Sequence, residues 1–205
     1  TVSIVELLRS NIAKPLSCPV NVYNASASLF ASATTFHNLA LPSLLAINIA
    51  FITCGPAAVF TLLYACAKVG AVAVTVNTNY KQSELEYLCK DSDMHTLCIV
   101  DGDRGNNDFV KMVYAMLPEL RTCQRGYLRS ERFPKMKNVV YIGQEKYRGM
   151  FNTSEILLLG ENVDDDDLIA AKKLVDCHDV VNMQYTSGTT GFPKGVMLTH
   201  YNIAN

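Results

Sequence analysis

Residues 179–205 read DVVNMQYTSGTTGFPKGVMLTHYNIAN. The opening run, Asp179 to Tyr185, is rich in β-branched and apolar residues and predicts a strand. It delivers the chain into Thr186-Ser187-Gly188-Thr189-Thr190-Gly191-Phe192-Pro193-Lys194-Gly195. From Tyr185 to Gly195 the sequence packs three glycines and a Pro-Lys pair among hydroxyl side chains. Glycine permits positive φ and lets backbone N–H groups close on an anion. The hydroxyls of Ser187, Thr189 and Thr190 add donors to phosphate oxygens. Lys194 adds a mobile point charge, and Pro193 fixes the chain just before it. These are the parts of a polyphosphate cradle, placed where ligands of open α/β sheets bind, beyond the carboxyl end of a strand. With Gly near 7% and Pro near 5%, three glycines and one proline at set places arise by chance about once in 60,000 starts. The pattern is not a Walker A loop, because Pro193 precedes Lys194 and Gly195 follows it. It is not the dinucleotide G-x-G-x-x-G either. Gly195 to Thr199 reads as extended, so a helix is expected only from about His200 to Asn202. His200 is tempting as a general base, but a structural role at that strand–helix junction is the simpler expectation.

The rest of the chain alternates strands and helices. No charged residue occurs from Asn38 to Ala67, a length that would span a bilayer. Pro42, Asn48 and Cys54-Gly55-Pro56 interrupt it, and Gly-Pro is a turn signal. The run therefore divides into a buried strand, about Leu44 to Thr53, and a helix, about Ala57 to Val69. That helix sets Val59, Leu62, Leu63 and Cys66 on one face, with Gly70 closing it. The run 71–76, AVAVTV, is the next strand, and strand–helix–strand implies a right-handed βαβ unit. Ser83 to Glu86 reads as a capping box with Ser83 as N-cap, opening a helix to about Lys90 with Leu85, Leu88 and Cys89 inward. Strands follow at 96–100 and 139–142, and helices at 108–117 and 154–159. Asp164 to Asp167 could suggest a metal site. Aspartates at a first helical turn favour the dipole, so a helix over 163–175 is expected and no metal ligand is assigned. Residues 1–40 carry little signal beyond a possible short helix over 1–11 and loop or weak strand over 17–35. The expected class is α/β, a mostly parallel sheet with flanking helices.

Composition narrows the functional classes. The net charge is −1 over 205 residues, with 49% hydrophobic and 18% charged. That makes no electrostatic case for nucleic acid or anionic membrane. Seven cysteines, an odd number without a CxxC pair, fit small buried thiols in a reducing cytosol. The sequons at Asn24 and Asn152 are then incidental. The N-terminus carries no secretory signal pattern.

The 179–205 stretch closely resembles the phosphate-loop signature of the adenylate-forming (AMP-binding) superfamily, the acyl-CoA synthetases with their luciferase and peptide-synthetase relatives. A second, weaker resemblance is ACAKVGAVAVTVNTNYKQSELEYLCKDSD, Ala65 to Asp93. The likeness is good from Leu62 to Asp101 and very good from Asp176 to Asn205. It is poor over residues 1–55, where the family's Gly-Asp pair is missing. The resemblance implies ATP-dependent activation of a carboxylic acid, of the fatty class, through an acyl-adenylate to an acyl-CoA. ATP, Mg2+ and coenzyme A are the implied cofactors and a small-molecule carboxylate the partner, with no nucleic acid and no membrane span. Carried over by position, Thr186, Ser187, Gly188, Thr189, Thr190, Gly191 and Lys194 become the phosphate contacts. Thr189, Thr190 and Lys194 carry the most weight. The adenine contacts, the magnesium-binding acid, the acyl pocket and the small domain with its adenylation lysine would lie beyond Asn205. The expectation is thus a partial N-terminal AMP-binding domain over 1–205, inactive alone and cytoplasmic, with the α/β part at 56–205 and the phosphate loop at 185–195. Two other readings stay open: an aryl-acid or amino-acid adenylating relative, and a non-catalytic remnant, interaction or membrane protein.

Overall fold

The computed structural model describes residues 47–52, 56–101, 108–186 and 193–205. The readings for residues 1–40, the Asn24 sequon, Cys18 and Cys54 lie outside these.

Among the described residues, seven strands form one sheet in the order β5–β4–β3–β1–β2–β6–β7. They are β1 (Asn48–Ile52), β2 (Val72–Thr75), β3 (Thr96–Ile99), β4 (Asn138–Tyr141), β5 (Phe151–Asn152), β6 (Val180–Thr186) and β7 (Lys194–Thr199). Every neighbouring pair is parallel except β6–β7, which is antiparallel. The mostly parallel α/β class expected from the alternation is what the chain adopts.

The reason lies in two-sided burial. Parallel strands covered by helices on both faces need apolar residues at successive positions. On β1, Ala50 and Ile52 enter one core while Ile49 and Phe51 enter the other. On β3, Leu97 and Ile99 face the first core and Cys98 the second. The first core is closed by α2 (Gln82–Asp91) and α3 (Phe109–Met116). The second is closed by α1 (Pro56–Val69), α4 (Thr153–Gly160) and α5 (Asp165–Leu174). Leu62 and Cys66 of α1 are buried there, with Val59 and Leu63 packed beside them, as the 3.6-residue period predicts. The uncharged run thus resolves, over its described part, into β1 and α1. No helix among the described residues is long and apolar enough to cross a membrane.

The helix ends follow from local chemistry. Gly70 has φ 76°, and the Ala71 N–H donates to the Cys66 carbonyl at 3.0 Å, the six-to-one bond of a Schellman ending. Asp108 caps α3 by accepting from the Lys111 N–H at 2.8 Å. Asp164 caps α5 through the Asp166 N–H at 3.0 Å, with Asp165, Asp166 and Asp167 in its first turn, as the dipole argument expects. One expectation is corrected. Ser83 is not the cap of α2: the helix starts at Gln82, and Glu84 reaches back to accept the Lys81 N–H at 2.8 Å. Leu85, Leu88 and Cys89 are still the buried face.

Asn152, in the second sequon, is 2% exposed. Its Oδ1 accepts from the Glu155 N–H at 3.0 Å and so caps α4, while its Nδ2 donates to the Gln144 carbonyl at 3.0 Å, so the nitrogen is already engaged within the fold.

Cys66, Cys89 and Cys98 are buried free thiols, Cys123 is half-buried and Cys177 is exposed. Burial pushes the Cys89 and Cys98 thiols up to about 12 and raises Cys66 as well. Reaction proceeds through the thiolate. Iodoacetamide labelling of the folded chain, read residue by residue in mass spectra, is expected to modify Cys177 first among the five cysteines of the described residues. Cys66, Cys89 and Cys98 should react only after unfolding.

Candidate functional site

β6 and β7 are the two stems of the hairpin that carries the glycine loop. β6 lies parallel to β2, with Thr75 opposite Gln184, so its carboxyl end points the same way as the carboxyl ends of β1, β2, β3 and β4. The loop therefore leaves the edge of the sheet expected from the α/β rule. β7 returns antiparallel, and Thr186 stands opposite Lys194, Tyr185 opposite Gly195. Directly opposed residues of antiparallel strands share a face. The structure thus brings Thr186 and Lys194, eight positions apart in sequence, together on one face at the loop's mouth. Both are exposed. Lys194 forms no ion pair among the described residues. Ser187, Gly188, Thr189, Thr190 and Gly191 lie outside the described residues.

The extended reading of 195–199 agrees with β7, and α6 (His200–Ala204) begins at His200. Thr199 caps α6, its hydroxyl accepting from the Asn202 N–H at 3.2 Å. The His200 N–H donates to the Asp179 carbonyl at 3.1 Å, which locks the start of α6 to the start of β6. Burial lowers the imidazole pKa below its ordinary value, against a smaller opposing pull from Asp179. Its Nε2 is buried without a hydrogen-bond partner among the described residues. The ring thus sits at the far end of β7 from Lys194.

The sequence reading passed over the role of Gly195. A Cβ placed there would lie 3.1 Å from Tyr185 Cζ and 3.2 Å from Met183 Sδ. Its bare face is the seat of the Tyr185 ring. The only earlier signal was the period of two that puts Tyr185 on the same side of β6 as Met183.

What the stem offers chemically is one ammonium and one hydroxyl at the open end of a hairpin. That donor set suits an anion rather than a cation. Among the described residues, the only gathered set of His, Cys and carboxylate ligand atoms is Asp176, Cys177 and His178, before β6 begins and so at the opposite end of the strand. A magnesium ion at the loop is compatible with these residues only as a companion of bound phosphate.

Residues 50–205 match the profile described as AMP-binding enzyme. YngI of Bacillus subtilis (strain 168), provisionally named an acyl-CoA synthetase, is 48% identical over 142 residues, which are 69% of this chain and 26% of that protein. The human mitochondrial medium-chain acyl-CoA ligase ACSF2 is 33% identical over 142 residues, 69% of this chain and 23% of that one. The chain spans about a quarter of the length of these relatives. The fold is that of the anthranilate CoA ligase AuaEII, solved with anthranoyl-AMP, at TM-score 0.60, 20% identity, 87% of this chain and 29% of that one. A long-chain-fatty-acid-CoA ligase from Archaeoglobus fulgidus gives TM-score 0.60 at 22% identity, covering 93% of this chain and 32% of its own.

Proposed function

The chain belongs to the AMP-binding enzyme family, and from that premise we propose that it carries the phosphate-gripping loop of an ATP-dependent, AMP-forming ligase joining a fatty acid to coenzyme A. The observation that supports this reading is the pairing of exposed Thr186 and Lys194 across the mouth of the glycine loop. The Thr186 and Ser187 hydroxyls, those of Thr189 and Thr190, the Gly188 and Gly191 N–H groups and the Lys194 ammonium hold the β- and γ-phosphates. A carboxylate oxygen attacks the α-phosphorus and pyrophosphate departs, leaving an acyl-adenylate. The thiol of coenzyme A then forms the thioester as AMP leaves. Fixed donors around the departing pyrophosphate stabilise charge that grows in the transition state, which is where such groups contribute most. Magnesium, when bound with ATP, neutralises phosphate charge. In this reading residues 56–205 are the α/β part of the large adenylating domain, and the protein works in the cytoplasm.

The test is ATP–pyrophosphate exchange by the complete natural polypeptide against a panel of fatty, aryl and amino acids. Exchange that depends on a fatty acid is the expected result. Exchange only with an aryl or amino acid would reassign the substrate. No exchange with any acid, together with no heat of ATP uptake in titration calorimetry, would sink the reading.

A further inference from the structure

The geometry points to Tyr185 as a positioning residue that, tethered to Asp91, sets the placement of Thr186 and Lys194; this rests on the function proposed above. The Tyr185 hydroxyl donates to Asp91 Oδ2 at 2.7 Å, across 94 residues of sequence. Its ring lies across Gly195, whose added Cβ would also come 3.3 Å from the phenol oxygen. One side chain therefore touches both stems of the hairpin, one residue inside Thr186 on β6 and one inside Lys194 on β7. A glycine opposite an aromatic ring is a recognised way of pinning strand register.

The other end of the tether is rigid. Asp91 is the last residue of α2. The next residue, Ser92, is buried, its hydroxyl donating to the Leu88 carbonyl at 2.7 Å and its carbonyl accepting from the Asn48 amide at 2.6 Å. The turn after α2 is thereby fastened to β1. A carboxylate at a helix carboxyl end is opposed by the helix dipole, so Asp91 is poorly placed for the helix itself. Its long-range contact with Tyr185 accounts for it. A second phenol, Tyr87 of the same helix, reaches Asp91 Oδ1 at 3.5 Å. Burial first, and then the Asp91 carboxylate, raises the Tyr185 pKa, so the hydroxyl stays protonated and remains a donor.

The experiment uses the complete natural polypeptide with Tyr185→Phe, Asp91→Ala and the double variant. Tyr185→Phe keeps the ring over Gly195 and removes only the hydroxyl. Asp91 is exposed, so its truncation leaves the core intact. Each single variant should lower kcat/KM for ATP by about tenfold. KM for the acid and for coenzyme A should stay at the wild-type value, and the double variant should be no worse than either single one. A merely structural bond would shift the thermal midpoint without this ATP-specific split. Unchanged ATP kinetics in Tyr185→Phe, additive losses in the double variant, or equal losses for all three substrates would overturn the proposal while leaving the functional reading standing. Wild-type protein that neither binds nor turns over ATP would overturn both.

Discussion

On the proposed function, Lys194→Ala is expected to lower kcat/KM for ATP by about a hundredfold in the complete natural polypeptide, the usual loss when one fixed donor to a developing anion is removed. The expectation comes from where the side chain stands. Lys194 is exposed on an edge strand, has no ion-pair partner among the described residues and sits directly opposite Thr186. No ion pair among the described residues uses its charge, so the thermal midpoint should hold, exposed substitutions being worth less than about 0.5 kcal/mol. Lys194→Arg keeps the charge but replaces a compact ammonium by a broad planar fork, and it should recover only part of the loss. Steady-state kinetics with ATP varied at saturating acid and coenzyme A provide the measurement. Wild-type ATP kinetics in the alanine variant would remove Lys194 from the phosphate site. A collapse in stability would mean that the side chain serves the fold instead.

The sequence showed the framework because its strongest signals are local. The 3.6-residue spacing of Leu62 and Cys66, the glycine at position 70 and the unbroken apolar runs of β1, β2 and β3 each follow from a few adjacent residues. The start of α2 was misplaced for a tertiary reason. Ser83 and Glu86 have capping-box spacing, but the Glu86 carboxylate is taken by Arg132 at 2.6 Å, 46 residues away. Glu84 closes the turn instead. The 3-10 helix Pro118–Arg121 and the two-residue β5 are too short to show any period. In the stretch between Arg121 and β4, Leu128, Phe133 and Met136 fill the first core without regular spacing. At the candidate site, residue types were legible and pairing was not. Strand on either side of the loop could be read from Asp179–Tyr185 and Gly195–Thr199. That Thr186 faces Lys194, and that Tyr185 reaches Asp91, depends on register and on a helix far away in sequence.

Gly149→Ala should destabilise the chain by about 3 kcal/mol, through two separate costs at one position. Gly149 has φ +74°, a conformation that costs an L side chain roughly 1–2 kcal/mol. A Cβ built there would fall onto the Leu120 carbonyl oxygen, 2.9 Å from its carbon and 3.0 Å from the Leu120 Cα. Those are backbone atoms, so no rotamer change relieves the contact. Leu120 is fully buried within the 3-10 helix, which cannot withdraw without opening the first core. The glycine's own segment is equally fixed. The Arg148 carbonyl accepts from the Tyr114 hydroxyl at 2.8 Å, and the Tyr147 ring meets Tyr141 edge-on at 4.8 Å. Phe151, two residues on, pairs with Val140 in the sheet. Whichever side yields, a buried contact is lost. Thermal and urea unfolding of wild-type and variant chains make the comparison, with exposed Lys135→Ala as the reference substitution. The expected shift is about 10 °C for a chain of this size, with an unchanged urea slope. A Gly149→Ala midpoint indistinguishable from that of Lys135→Ala would mean that the 118–121 and 147–151 segments are not in the contact described here.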